Sequence, residues 1–293
     1  MSNKKYSAFS LIELSIVIVV IGILVAGIMQ GFSLVKNFRL QNAVNLTKSS
    51  PVNSITNLVG WYETSLEESF DYDESEDDSS ISSWNDLNTQ SSLKRNAVQV
   101  TSANQPLYKN NVFNGALPAV RFDGSNDFLN FDGSPLIGSD YTIFVVEQRR
   151  GDGGTHNCFI AGTTRSSSQN LHMGYRGSTT VTLAHYGSDL SYSNAVTAYS
   201  SPQPRIFTFR LNSSIGKEIW LNGGTTPDSS TSSQTSHITS YGGSAFGRSV
   251  NSSSTFYYIG DLAEIIIYNR AIKNEERQSI ETYLSKKYNI ALN

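Results

Sequence analysis

Tyr141-Thr-Ile-Phe-Val-Val-Glu-Gln-Arg149 decides the fold. In an extended chain Thr142, Phe144 and Val146 face one way, and Ile143 and Val145 face the other. β-branched and aromatic residues suit such a pleated surface. Runs of the same kind recur on both sides, at 58–64, 97–101, 119–122, 128–131, 158–162, 171–175, 180–186, 205–211, 218–221 and 256–268. Asp123-Gly124, Asp132-Gly133 and Asn222-Gly223 lie between them as turn formers. Short alternating strands separated by such turns predict a mainly β protein, an antiparallel two-sheet sandwich. One helix should follow the last strand. Asn274 is placed to cap it, and Glu275 and Glu276 stand in its first turn. Ile280, Tyr283, Leu284 and Tyr288 make one apolar face, with Lys286 and Lys287 near the end, so the helix should pack outside the sandwich or at its edge.

The other end of the chain reads differently. Phe9 to Met29 is a run of 21 residues, apolar except for Ser10, Glu13 and Ser15. As a helix it is about 30 Å long, the thickness of a bilayer core. Lys4 and Lys5 precede it and should stay cytoplasmic, which sends the C-terminus outward. A signal peptide cleaved near Val25-Ala26-Gly27 would have a shorter apolar region than this run, whereas a plain anchor would account for the length. Neither accounts for Glu13, since a carboxylate in a spanning helix has a partner or a function. Gly22 with Ala26, and Gly27 with Gly31, are small residues one turn apart that allow close helix approach. Phe32, Val35 and Phe38 extend the apolar stripe beside Lys36 and Arg39. Pro51 ends the helix, and a linker follows.

Of the 293 residues, 38% are apolar and only 16% charged, which fits an exported β protein. The net charge of −3 is split: residues 1–48 carry +4, leaving −7 for the rest. No basic stripe is present, which argues against nucleic-acid binding. The one cysteine, Cys158, sits in an apolar strand and cannot form an intrachain disulfide.

Two resemblances follow from these segments. Ala8-Phe-Ser-Leu-Ile-Glu13, after a basic leader and before the apolar run, resembles the processing site of type IV prepilins and of type II secretion pseudopilins. The resemblance implies that a prepilin peptidase cuts between Ala8 and Phe9 and that the new terminus is methylated. That family usually has Gly where this chain has Ala8. Glu13 would then pair with the terminal amine of a neighbouring helix in a bundle of pilin-like subunits, because an unpaired carboxylate in low dielectric is costly. The second resemblance is to laminin G-like domains of the concanavalin A-like lectin/glucanase superfamily. It is carried by Val59-Gly-Trp-Tyr62, Trp84-Asn-Asp86, Pro118-Ala-Val-Arg-Phe-Asp-Gly-Ser-Asn-Asp-Phe-Leu129 and Gly260-Asp-Leu-Ala-Glu-Ile-Ile-Ile-Tyr-Asn-Arg-Ala271. It implies a jelly roll and fixes no ligand. The resulting organisation is a leader at 1–8, a transmembrane and assembly helix at 9–48, a linker at 49–57 and a sandwich at 58–293.

Several clusters are candidates for chemistry. Glycoside hydrolysis needs two spaced carboxylates. The Glu-x-Asp-x-x-Glu strand of laminarinase-like enzymes is missing, and Asp261-Leu-Ala-Glu264 is the nearest match. His156, His172, His185 and His237 lack a lyase frame, so the chain is read as a non-enzyme. Asp71, Asp73, Glu74, Glu76, Asp77 and Asp78 alternate as calcium ligands can, without the central Gly of a calcium loop; a solvated acidic loop is the other reading. Asp123, Asn126 and Asp127 could hold Ca²⁺ or simply make a turn. A sugar site would combine an aromatic platform with amides and charged groups. His172, Tyr175 and Arg176, with His185, Tyr186 and Asp189, fit that description; if 171–175 pairs with 181–186, His172 and His185 are expected on one face. Trp61, Trp84 and Trp220 read as core.

Together these features predict a pilin-like minor or tip subunit. Its lectin-like domain would bind a glycan or a surface protein outside a bacterial inner membrane, in a periplasmic or extracellular filament. A type II secretion pseudopilin-like component is the alternative, and a membrane-tethered glycan-processing enzyme a third.

Overall fold

The computed structural model describes residues 11–152, 154, 156–163, 166–239, 243–251 and 254–293. Helix α1 spans Leu11–Lys48, 38 residues or about 57 Å. Leu11 through Phe38 present their apolar side chains outward, with Leu11 83% and Phe38 73% exposed. Only the last turns of α1 meet the rest of the chain. Arg39 Nη1 donates to Asn114 O at 2.7 Å, Ala43 and Thr47 are buried, and Thr47 Oγ1 lies 3.3 Å from Tyr283 OH.

The strands, in chain order, are β1 (Leu58–Glu63), β2 (Ser83–Trp84), β3 (Ala97–Val98), β4 (Leu107–Phe113), β5 (Leu117–Asp123), β6 (Leu129–Phe131), β7 (Tyr141–Arg149), β8 (Asn157–Gly162) and β9 (His172–Arg176). They continue as β10 (Thr180–Ala184), β11 (Leu190–Tyr192), β12 (Arg205–Asn212), β13 (Gly216–Leu221), β14 (Ser229–Thr231), β15 (Ser244–Phe246), β16 (Arg248–Asn251), β17 (Ser254–Tyr257) and β18 (Ile259–Tyr268). Helix α2 is Asn274–Tyr288. One sheet runs β14-β13-β12-β7-β18-β5-β4, with β1 also on β18. The facing sheet runs β11-β10-β9-β8-β15-β6-β3-β2, and β16–β17 is a separate hairpin. The ladders are antiparallel, so the expected mainly β, two-sheet sandwich with a long N-terminal helix and a short C-terminal one is the observed fold.

The alternation in β7 has two buried destinations. Tyr141, Ile143 and Val145 enter the core between the sheets, with Phe159, Phe207 and Ile265. Phe144 and Val146 enter a second core on the outer face, with Ala43, Val52, Ile280 and Leu284. The first sheet is therefore covered on both sides, by its partner sheet and by α2 with the end of α1. Residues between α1 and β1 are part of that second core. Val52 is 0% and Ile55 7% exposed, so the expected linker is a packed connector. Trp84, Trp61 and Trp220 are all buried.

One further local expectation differs from the structure. Asn274 begins α2 rather than capping it: Lys273 holds the cap position, and Asn274 Oδ1 accepts from Arg210 Nη1 at 2.9 Å instead. Glu276 Oε2 accepts the Lys273 N–H at 2.8 Å. In β18 the register shifts between Leu262 and Glu264, a bulge that turns Ala263 and Glu264 to the same outer face.

Candidate functional site

The strands β9 and β10 pair with His172 opposite Ala184 and Tyr175 opposite Val181. On the face of this sheet that points away from the core, His172 lies beside His156, with ring centroids 5.7 Å apart. His172 Nε2 lies 3.1 Å from Ser249 Oγ, so the β16–β17 hairpin packs against this histidine. Arg176 at the end of β9 donates through Nη1 to Asp189 Oδ2 at 3.0 Å. Tyr186 closes the opposite side, edge-on to His172 at 6.4 Å. His156, His172, Arg176, Tyr186, Gly187 and Asp189 together line a recess of about 510 Å³. Four of the six residues proposed from sequence for ligand binding are among them.

The turn that carries Tyr186 and Asp189 is conformationally unusual. Tyr186, Gly187 and Ser188 have φ of 60°, 100° and 73°. Bulky residues rarely adopt the left-handed region, and such strain persists only where surrounding contacts impose it. Here Gly187 N–H donates to Asp189 Oδ1 at 3.2 Å, and Ser188 Oγ bonds Gln234 Oε1. The buried Lys217 ammonium reaches across from β13 to the Ser188 carbonyl. Burial lowers the Lys217 pKa to about 8, with Asp189 opposing. Burial also lowers both histidines, His172 to about 4, so the recess holds neutral imidazoles near neutral pH.

His185 and Tyr175 are not in the recess, which corrects the expectation that His172 and His185 share a face. The two strands do pair, but the register sets His172 against Ala184, so His185 falls on the opposite face. His185 is buried with Nε2 2.7 Å from Tyr141 OH, and burial lowers its pKa to about 3. Tyr175 points into the core, where its OH donates to Glu147 Oε1 at 2.6 Å. Tyr258 OH donates to Oε2 of the same carboxylate at 2.6 Å, and Arg205 Nη1 lies 3.7 Å away. Glu147 has no exposed surface, and burial raises its pKa against these partners.

The acidic run does not converge on a cation. Asp77 and Asp78 both pair with Lys109, at 3.2 and 2.8 Å. Glu74 accepts the Ser82 N–H at 3.1 Å, and Asp71, Asp73 and Glu76 point outward. Among the described residues no three His, Cys, Asp or Glu side chains gather to hold a metal ion, so the run does not fit a calcium site. Asp123 Oδ1 accepts the N–H groups of Ser125 and Asn126 at 2.8 and 3.1 Å, which is turn chemistry. Ala8 and Phe9 lie outside the described residues. Glu13 sits in the first turn of α1, exposed.

One charged cluster escaped the sequence reading. Lys287 is fully buried and bonds Glu63 Oε2 at 2.6 Å and Glu264 Oε2 at 2.8 Å. Glu264 also accepts from Trp61 Nε1 at 2.7 Å, Tyr283 OH at 2.9 Å and Tyr288 OH at 3.0 Å. Burial pushes both carboxyls up; Lys287 and Ser65 bring Glu63 below its usual value, while Glu264, which also faces Glu63, stays above. Asp261 is equally enclosed, held by Arg121 at 2.7 and 3.1 Å. The nearest match to a catalytic carboxylate pair is therefore two separate buried ion pairs.

The family model for the prokaryotic N-terminal methylation motif matches residues 3–29. The chain thus carries a pilin- or pseudopilin-like N-terminal segment, and α1 is long and apolar enough to cross a membrane. No curated protein matches the chain. Among solved structures it is similar to a Trypanosoma rangeli sialidase in complex with 2,3-difluorosialic acid, at 10% identity and a TM-score of 0.49. That match covers 86% of this chain and 38% of the sialidase, so the chain spans well under half the length of that protein. Domain 4 of an extracellular arabinanase from Geobacillus stearothermophilus, in complex with arabinotriose, is similar at 12% identity and a TM-score of 0.41, covering 77% of this chain and 98% of that one. The CBM40 of a Ruminococcus gnavus sialidase, bound to α2,6-sialyllactose, is similar at 9% identity and a TM-score of 0.44, covering 56% and 95%. At TM-scores below 0.5 these likenesses add no relationship to the two-sheet sandwich seen in the chain itself, and they do not single out laminin G domains.

Proposed function

We propose that the chain is a pilin-like subunit, a minor or tip component, that displays a binding sandwich outside the bacterial inner membrane. One observation carries this reading. The apolar face of α1 is exposed from Leu11 to Phe38, while its last turns are built into the second core. The helix must be covered by lipid or by other helices, and it cannot swing freely from its own domain. The methylation motif supplies the way in. A prepilin peptidase would cut between Ala8 and Phe9, and the freed amine would meet Glu13 of a neighbouring subunit. Gly22, Gly27 and Gly31 have open space around them, which suits close helix approach. The bulk of the sandwich is awkward to repeat at every step of a filament, which favours a minor subunit. The recess of His156, His172, Arg176, Tyr186 and Asp189 is the proposed contact for a glycan or surface protein.

Sequencing the mature N-terminus tests the assembly reading. A start at methylated Phe9 is expected; a start at Met1 or near Gly27 overturns it. A purified filament composed chiefly of this chain would overturn the minor-subunit role. Loss of export on deletion, with no ligand found, would favour the pseudopilin-like alternative.

A further inference from the structure

We propose, resting on the binding role above, that the recess takes an uncharged sugar and grips it through two adjacent hydroxyls between Arg176 and Asp189. The pair presents a donor and an acceptor side by side, with Nη1 3.0 Å from Oδ2 and both side chains partly open to solvent. Adjacent sugar hydroxyls are both donors and acceptors, so one can accept from the guanidinium while the next donates to the carboxylate. Neither a carboxylate nor an ammonium ligand has that duality.

The charge balance sets the class. Arg176 and Asp189 cancel each other, and burial keeps His156 and His172 neutral. Lys217 lies under the turn, but it is buried and directed at the Ser188 carbonyl. An acidic sugar would bring its carboxylate towards Asp189 and gain, among the described residues, no unspent cation in return, at the cost of its own hydration. An uncharged ring has no such penalty. Half-buried Tyr186 offers the apolar face that a sugar's C–H side requires.

The recess is also preorganised. The three positive φ angles are fixed by Lys217, Gln234 and Asp189. Little ordering remains to be done when a ligand arrives, so weak individual hydrogen bonds can still give binding.

The test uses the full chain in detergent micelles on a glycan array that carries neutral and acidic (sialic- and uronic-acid-terminated) oligosaccharides. Binding to neutral glycans and not to their acidic counterparts is expected at pH 7. Asp189→Asn, which keeps side-chain volume and an acceptor for Gly187, should weaken binding at least tenfold, and so should Arg176→Met. Circular dichroism checks that both variants fold. Preference for acidic glycans that Arg176→Met abolishes would overturn this inference and leave the binding role standing. Neutral binding indifferent to both substitutions would place the ligand elsewhere and also overturn it. No binding to any glycan removes the glycan role altogether, while the mature N-terminus still judges the assembly role separately.

Discussion

Two charged clusters in this molecule pair a cationic side chain with carboxylate for opposite ends. Lys287 lies between Glu63 and Glu264 with every member buried, and three ring-bearing side chains, Trp61, Tyr283 and Tyr288, complete the bonding of Glu264. Arg176 and Asp189 sit in an open recess, each about a third exposed or less, beside two neutral imidazoles. In the first cluster water is excluded and both carboxylates share the one Lys287 ammonium, so removing it leaves them stranded. In the second, solvent screens the pair, and its groups can exchange each other for a ligand. The enclosed cluster ties α2, β1, β18 and, through Tyr283 and Thr47, the end of α1 into one body. The open one is free to act on something else.

This contrast can be broken by substitution. The largest effect is expected for Lys287→Met, which strands two buried carboxylates. Urea unfolding at pH 7 should show a loss of about 3–5 kcal/mol. Without the ammonium, Glu63 joins Glu264 in having a folded-state pKa above its unfolded value, so stability should recover as pH falls and the carboxyls take up protons. A loss below about 1 kcal/mol would mean that the cluster is not as dry as its geometry implies.

Asp127 is an intermediate case. Burial, and then the neighbouring Asp123 charge, raise its pKa to about 7 from 3.8. Its folded value lies above its unfolded one, so the folded state holds the extra proton between these values. Stability should therefore decline as pH rises from about 4 to 7, and the cost is complete above that range. Asp127→Asn should stabilise the protein at pH 8 by about 1 kcal/mol, after allowance for solvent screening, and by little at pH 4. Melting curves at the two pH values decide it; equal gains at both would assign the effect to packing rather than charge.

The smallest stability change belongs to the recess. Arg176→Met should cost about 0.5 kcal/mol or less in urea unfolding, because an open ion pair is worth little. The same substitution is expected to cost most of the glycan binding. A large stability loss instead would make this pair part of the scaffold and erase the difference between the two clusters.

Much of the fold was readable from residue order. Each predicted strand overlaps an observed one, since alternation and β-branched content are local properties. Of the segments that escaped prediction, β2, β11, β14 and β15 are two or three residues long and pair only because a neighbouring strand lies beside them, while the seven residues of β4 hold Lys109-Asn-Asn111, which breaks the apolar alternation. The recess was half readable. The His172–Arg176 and Tyr186–Asp189 segments were identifiable as polar-aromatic clusters. His156 came from the residue just before β8 and Ser249 from a hairpin remote in sequence, so composition could not associate them with the site. Tyr175 is three residues from His172 on one strand, so alternation alone turns it to the core, and the register that sets His172 against Ala184 turns His185 the same way.

The sequence by itself determined that an apolar helix with a carboxylate near its start precedes a β sandwich, because hydrophobic length and period two are written along the chain. Only the tertiary structure decided which face each polar side chain meets. Lys287, predicted as an ordinary charge near a helix end, became the centre of a dry cluster because a bulge in β18 turns Glu264 towards it and β1 brings Glu63 alongside. Burial and partnership are properties of three dimensions: they depend on what other strands and helices place nearby, and no local pattern records that.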